Sequence, residues 1–327
     1  MAFRQPKRKR GRPRKNPLPF NVVSETMQPI RETSYLHQEQ VEADSLPKDG
    51  NSKLEVEDWE RELNGNEVQV DIHLSNSTLD DSNNTTIPLF SQKDDSKKPT
   101  AIHIIDSEKG GAGKSFFSRV FIEYCSFKDL NFTIVDADTS NQDIAKLYDN
   151  VELAFFSDDE KKAKFADKIF DLAFDNSVIV NLPAQVYSNV TNWIKHNNLT
   201  ELGKENSLSF IKWFVCTGGV DSVNFFLKSL EDLGDDITHV FIKNFGLCDE
   251  WNYIEQMPEF VAAQEKYKFI VMEFPRFPFW ERNMIDRLEI TFSRAVSHPE
   301  FKAVSKQRVK NYLKQIYASL AATELIQ

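Results

Sequence analysis

The sequence predicts an α/β fold, a mostly parallel sheet with helices on both faces, preceded by a disordered N-terminal region. Three observations carry this. From residue 100 onward, short apolar runs alternate with helix-length segments, as expected for strands buried on both sides by crossover helices. A glycine-rich string separates the first of these runs from the first helical segment. Before residue 100 the composition turns polar and charged, and such a segment buries too little apolar surface to offset its ordering entropy.

Taken in order, the apolar runs fall at 101–105, 132–135, 177–180, 210–216, 239–242 and 269–272. Candidate helices lie between them, near 115–128, 159–174, 187–197, 218–233 and 251–266. The many phenylalanines fall mostly in these runs and helices and are read as core. In such a sheet, ligands are expected beyond the carboxyl ends of the strands. Toward the C-terminus, Val304, Val309, Leu313, Ile316 and Leu320 have near-helical spacing, with Lys302, Lys306, Arg308, Lys310 and Lys314 among them. A helix docked on its own core is the simplest reading; a membrane surface or DNA would also suit a basic amphipathic helix.

Charge divides the chain into three parts. Residues 1–20 hold eight Lys/Arg and no acid, and residues 21–99 hold seventeen Asp/Glu against seven Lys/Arg. A basic arm (1–20), an acidic linker (21–99) and a mildly acidic domain (100–327) follow. Within the linker, Val68, Val70, Ile72 and Leu74 alternate after Asn64-Gly65, so a linker with fleeting order and an added edge strand or partner-binding segment both remain open. The cysteines, Cys125, Cys216 and Cys248, are odd in number and far apart, which suits a reducing cytosol and gives no zinc spacing. With no run long enough for a membrane span and no signal-peptide pattern, a soluble, cytoplasmic protein without membrane contact is expected.

The glycine-rich string is Lys109-Gly110-Gly111-Ala112-Gly113-Lys114-Ser115. Strand, glycine loop and helix together form a phosphate cradle. Glycines allow successive backbone N–H groups to face one anion, and the helix N-terminus adds partial positive charge. Here the backbone of Gly110, Gly111, Ala112 and Gly113 would hold the phosphates. Lys114 would neutralise the terminal ones, and the Ser115 hydroxyl would sit on Mg²⁺. The usual first glycine of this motif is replaced by Glu108, and a second lysine, Lys109, is present.

That second lysine, in K-G-G-x-G-K-[ST], resembles the deviant Walker A ATPases: ParA, MinD and the related plasmid stability and mobilization ATPases. The resemblance covers roughly residues 100–290. It implies ATP and Mg²⁺ as cofactors and an ATP-bound homodimer in which Lys109 reaches the partner's nucleotide. The string Thr133-Ile134-Val135-Asp136-Ala137-Asp138 resembles the family's second nucleotide motif. This implies that Asp136 supports the metal shell and Asp138 orients the attacking water; read alone, the same aspartates could cap a strand-end turn. At Val178-Ile179-Val180-Asn181-Leu182-Pro183, the family's Walker B aspartate is replaced by Asn181. An amide carries no charge, so binding is expected to survive while hydrolysis is slow. Asn244, ending the run at 239–242, matches the family's base-reading asparagine, or it caps its loop. The loop Phe274-Pro275-Arg276-Phe277-Pro278 lies where the family binds the base.

The basic arm resembles an AT-hook, with Arg10-Gly11-Arg12-Pro13-Arg14 inside a Lys/Arg run. A narrow Gly-Arg-Pro core suits the minor groove of A/T-rich DNA, and the flanking cations suit phosphates. A generic polybasic tail is the alternative. The combined expectation is a slow, ATP-dependent dimeric switch acting on DNA in plasmid partition, stability or mobilization, nucleoid- or plasmid-associated, with a partition or mobilization protein as partner. Two alternatives are a DNA-associated regulator that binds nucleotide with little or no hydrolysis, and a P-loop kinase or synthetase acting on a small metabolite.

Overall fold

The computed structural model describes residues 98–157 and 159–327. The basic arm, nearly all of the acidic linker and the alternation at 68–74 lie outside the described residues. Among the described residues, seven strands form one sheet: β1 (Thr100–Asp106), β2 (Phe132–Asp136), β3 (Val151–Leu153), β4 (Ser177–Asn181), β5 (Leu208–Cys216), β6 (Thr238–Asn244) and β7 (Ile270–Phe274). Their order is β3-β2-β4-β1-β5-β6-β7, and every pairing is parallel. β1 lies between β4 and β5. The connection from β1 runs toward the β3 edge and that from β5 toward the β7 edge, so the order reverses between these neighbours and a crevice opens at their carboxyl ends. The glycine string begins there.

The helices are α1 (Lys114–Phe127), α2 (Glu160–Leu172), α3 (Tyr187–His196), α4 (Leu199–Glu205), α5 (Val220–Leu233), α6 (Asn252–Glu255), α7 (Pro258–Tyr267), α8 (Phe279–Leu288), α9 (Phe292–Ser297) and α10 (Ala303–Ala321). Alternate strand residues feed opposite faces. Ile102 and Ile104 of β1 pack with α2 and α3, whereas Ala101 and Ile105 pack with α1 and α10. A third cluster joins Phe214 and Phe241 to Phe226 of α5 and Phe260 of α7. This is a P-loop-type α/β fold.

All six predicted strands are present, with ends within two residues of those expected. The short edge strand β3 gave no apolar run to find. The single helix expected at 251–266 is two, α6 and α7. Pro258 takes the first position of α7, and Met257 before it is extended, as a residue preceding proline prefers. Two helices, α8 and α9, occupy a region where the pattern predicted none. α10 docks on the core: Val309, Leu313, Ile316 and Leu320 are fully buried, and Val304 is 65% exposed. Each such buried side chain contributes roughly 1.5–3 kcal/mol, which outweighs a surface role for that face. None of the described helices is long and apolar enough to cross a membrane.

Candidate nucleotide site

The loop from β1 to α1 is held from below by a buried ion pair. Lys212 of β5 contacts Asp106 at 2.9 Å, with both side chains almost wholly inaccessible. The other oxygen of Asp106 accepts from the Ser107 amide at 2.7 Å. Ser107 Oγ in turn accepts from Lys114 Nζ at 3.1 Å, and the Lys109 carbonyl accepts from the same ammonium at 3.3 Å. The direct partners of Lys114 are therefore neutral oxygens. Burial pushes its ammonium below the usual lysine range, while Asp106, Asp138 and Glu108 pull it back up. A buried cation whose direct hydrogen-bond partners are neutral gains from an anion brought into contact with it. This donor set fits a phosphate.

Glycine is required at Gly113, which has φ of 101°. A Cβ there would come within 2.9 Å of Asn244 Nδ2. Asn244 clamps the loop: its Nδ2 donates to the Ala112 carbonyl at 2.9 Å, and its Oδ1 accepts from the Gly246 amide at 2.9 Å. Both polar atoms of the side chain thus serve the loops. Glu108, in the usual glycine position, turns inward. It accepts from Thr217 Oγ1 at 2.9 Å and Ser222 Oγ at 2.6 Å, tying the loop to the start of α5. Lys109 projects outward with its side chain 62% exposed, 3.9 Å from Glu108 Oε1.

The two aspartates after β2 have different surroundings. Asp136 is fully buried. Its oxygens accept from Asn181 Nδ2 at 3.1 Å and from the amides of Asp138, Ile144 and Ala145 at 3.2–3.3 Å. Burial raises its carboxyl above the ordinary range, and these bonds oppose the rise. Asn181 also accepts from Ser118 Oγ at 2.9 Å. Asp138 is half-buried, ordered by Ser140 and Asn141.

A cavity of about 460 Å³ opens above the loop, lined by Gly110, Gly111, Gly113, Lys114, Ser115 and Asp138. The structure thus brings most of the expected phosphate residues together with Asp138. Asp136 and Asn244 stand behind them as supports. The far wall is α8, through Arg282, Ile285 and Asp286, with Glu289 just past its end. Sequence reasoning missed that wall, because one isolated helix segment carries no motif. It also missed Asp106–Lys212, since a lysine inside an apolar strand gives no sign of its partner. In the loop after β7, Arg276 donates to the Phe245 carbonyl at 3.1 Å and to Asp249 at 2.8 Å, and Phe277 is buried. The arm residues Arg10, Gly11, Arg12, Pro13 and Arg14 lie outside the described residues.

Solved structures similar to this chain include the MinD cell division protein of Aquifex aeolicus, at 16% identity, covering 67% of this chain and 97% of that one, with a TM-score of 0.39. Another is the septum site-determining protein MinD complexed with Mg-ADP from Pyrococcus horikoshii OT3, at 16% identity, 68% and 98% coverage, and a TM-score of 0.37. A third is a Cyanothece McdA variant in complex with ATP, at 10% identity, 68% and 96% coverage, and a TM-score of 0.35. No protein-family model matches the chain, and no curated protein sequence does either.

Proposed function

We propose that this protein is an ATP-dependent dimeric switch of the ParA/MinD type that acts on DNA in plasmid partition, stability or mobilization. Residues 1–20 are its DNA-binding arm, 21–99 a linker and 100–327 the ATPase domain. The observation that supports this most is Lys114, buried at the head of α1 with neutral partners and facing a cavity rimmed by loop glycines. The backbone of 110–113 and Lys114 would hold the phosphates of ATP. Ser115 would hold Mg²⁺, and Asp136 would support that shell from behind through its hydrogen bonds. The metal supplies charge neutralisation between phosphates. Asp138, on the cavity wall, would orient water. Lys109 is exposed beside the loop, where a second protomer can be reached.

A second reading has its own support. Asn181 occupies the Walker B acid position and is committed to Asp136 and Ser118. That arrangement favours a nucleotide-binding, DNA-associated regulator with little turnover. Single-turnover ATP hydrolysis, with and without A/T-rich duplex, combined with sedimentation in a slowly hydrolysed ATP analogue, separates the two. DNA-stimulated turnover and a nucleotide-dependent dimer support the switch. A dimer without turnover supports the regulator, and neither property would sink both.

A further inference from the structure

The cavity does not run from the loop toward Asn244 or the 274–278 turn. It runs along α1 toward α8, where Phe116, Arg119, Ile285, Asp286 and Glu289 line it. We propose that α8 and the residue that ends it are the nucleoside wall: Asp286 and Glu289 accept hydrogen bonds from the ribose hydroxyls, and Arg119 is the positioning residue that holds α8 against the phosphate-binding helix. This deepens the nucleotide-binding reading above and rests on it.

The chemistry follows from the groups present. A ribose offers two neighbouring O–H donors, and an ionised carboxylate is acceptor-only. Bonds to an ionised acceptor are the stronger kind. One oxygen of Asp286 accepts from Arg119 Nη1 at 2.8 Å. The other is 3.9 Å from Arg282 Nε, beyond hydrogen-bond distance, so it keeps its capacity to accept. Phe116, half-buried on the cavity lining, gives the same stretch apolar surface suited to a sugar edge or base face.

Arg119 makes the wall rigid. It lies four residues beyond Ser115, one turn along α1, on the side that meets α8. Its side chain is 8% exposed. The guanidinium carbon lies 5.3 Å from the Phe292 ring centroid and 5.8 Å from that of Phe116. Nη2 donates to the Ile290 carbonyl at 3.2 Å, just past the end of α8. Both terminal amino groups are therefore committed to the α8 segment. Nε is buried without a hydrogen-bond partner among the described residues.

The test is equilibrium binding by the full-length protein with Mg²⁺, using ATP, 2′-deoxy-ATP, 3′-deoxy-ATP and inorganic triphosphate. ATP should bind roughly tenfold more tightly than either deoxy analogue, the loss expected for one hydrogen bond to a charged group. Asp286→Asn should shrink that ratio several-fold and leave triphosphate affinity unchanged. Glu289→Gln, an exposed change that leaves the Arg119 pair intact, should shrink it too. Arg119→Lys should lower the ratio without lowering triphosphate binding. Equal affinity for ATP and both deoxy analogues, or a ratio unchanged in the Asp286 and Glu289 variants, would overturn the assignment while triphosphate binding upholds the phosphate site. Failure of the wild type to bind both ATP and triphosphate would overturn the nucleotide reading, and this proposal with it.

Discussion

Asn181 donates its Nδ2–H to Oδ1 of Asp136 across 3.1 Å, where β4 and β2 end side by side. The amide does here what a second carboxylate could not: it lets Asp136 stay buried beside it. Asn181→Asp would set two carboxylates at about this separation, a pair that shares one proton rather than ionising twice. The variant should lose about 1–3 kcal/mol of stability at neutral pH without metal. Mg²⁺ with ATP should return much of that loss, because a ligand bound by the folded state alone stabilises it. If missing charge limits turnover, single-turnover hydrolysis should also rise. Thermal melts with and without Mg-ATP, read beside the hydrolysis rate, test both parts; an unchanged rate removes charge as the limit.

The two lysines of the loop should separate by phenotype. Lys114 is buried against the loop, and Lys109 is largely exposed. Lys114→Ala should lower ATP affinity by at least about a hundredfold, the ~2.7 kcal/mol scale of a buried charge-assisted contact. Lys109→Ala should bind ATP as a monomer almost normally and fail to dimerise with it. Sedimentation in a slowly hydrolysed analogue is decisive: normal dimerisation of the Lys109 variant would rule out its cross-protomer role.

Gly113 and Asn244 form a lock that should fail from either side. Alanine at 113 meets both a positive φ and a 2.9 Å approach to the Asn244 amide. The cost should be about 1–3 kcal/mol, with weaker nucleotide binding because the cradle shifts. Asn244→Ala removes the bond to the Ala112 carbonyl and should weaken inorganic triphosphate and ATP equally. If Asn244 instead read the base, the loss would appear for ATP and spare triphosphate, which makes that pair of titrations the deciding measurement.

What the sequence disclosed depended on whether the chemistry was local. The strand–loop–helix turn at 109–115 was legible because its backbone demands, such as the left-handed Gly113, are written in consecutive residues. The strands were legible because burial on both faces leaves unbroken apolar runs. Lys212 was not, for it interrupts such a run and only its partner Asp106, across the sheet, explains it. Nor was the link from Arg119 to Asp286, since contacts 167 residues apart leave no spacing to read. Glu108 looked like a departure from the glycine motif. It proves to anchor the loop to Thr217 and Ser222, and in this respect the odd residue belongs to the fold.

Two buried histidines set an acid limit on stability. Burial pushes both His103 and His239 down to about 3. His103 accepts from Trp213 Nε1 at 3.1 Å, and His239 lies 3.1 Å from both Ser229 Oγ and the Ile237 carbonyl. Between about pH 3 and 6.5 the unfolded chain binds protons that the folded chain refuses, so stability falls as pH falls through that window. Each histidine contributes about 1.4 kcal/mol per pH unit there. Asp136 and Glu123, raised by burial, act in the opposite direction by taking up protons when folded. Chemical denaturation between about pH 4.5 and 6.5 should show that His103→Gln and His239→Asn each flatten the loss; an identical slope in both variants would contradict it.

The arm extends the reading to DNA. Arg10-Gly11-Arg12-Pro13-Arg14 lies outside the described residues, so its prediction stands on composition and the chemistry of the groove. A minor groove narrowed by A/T tracts concentrates negative potential, and an arginine on an extended, glycine-flanked backbone can enter it. Lys7 at the flank would meet only phosphate, which carries no sequence information. Arg12→Ala should therefore lose more A/T preference than Lys7→Ala, while both lower overall affinity. Binding should fall steeply with salt in each case, by about 0.9 in log–log slope per phosphate contact. Titration of the full-length protein against A/T-rich and G/C-rich duplexes, with a minor-groove ligand competing, measures all of this. Equal affinity for the two duplexes, or indifference to the competitor, would reduce the arm to a polybasic tail and leave DNA targeting to the nucleotide-binding domain or a partner.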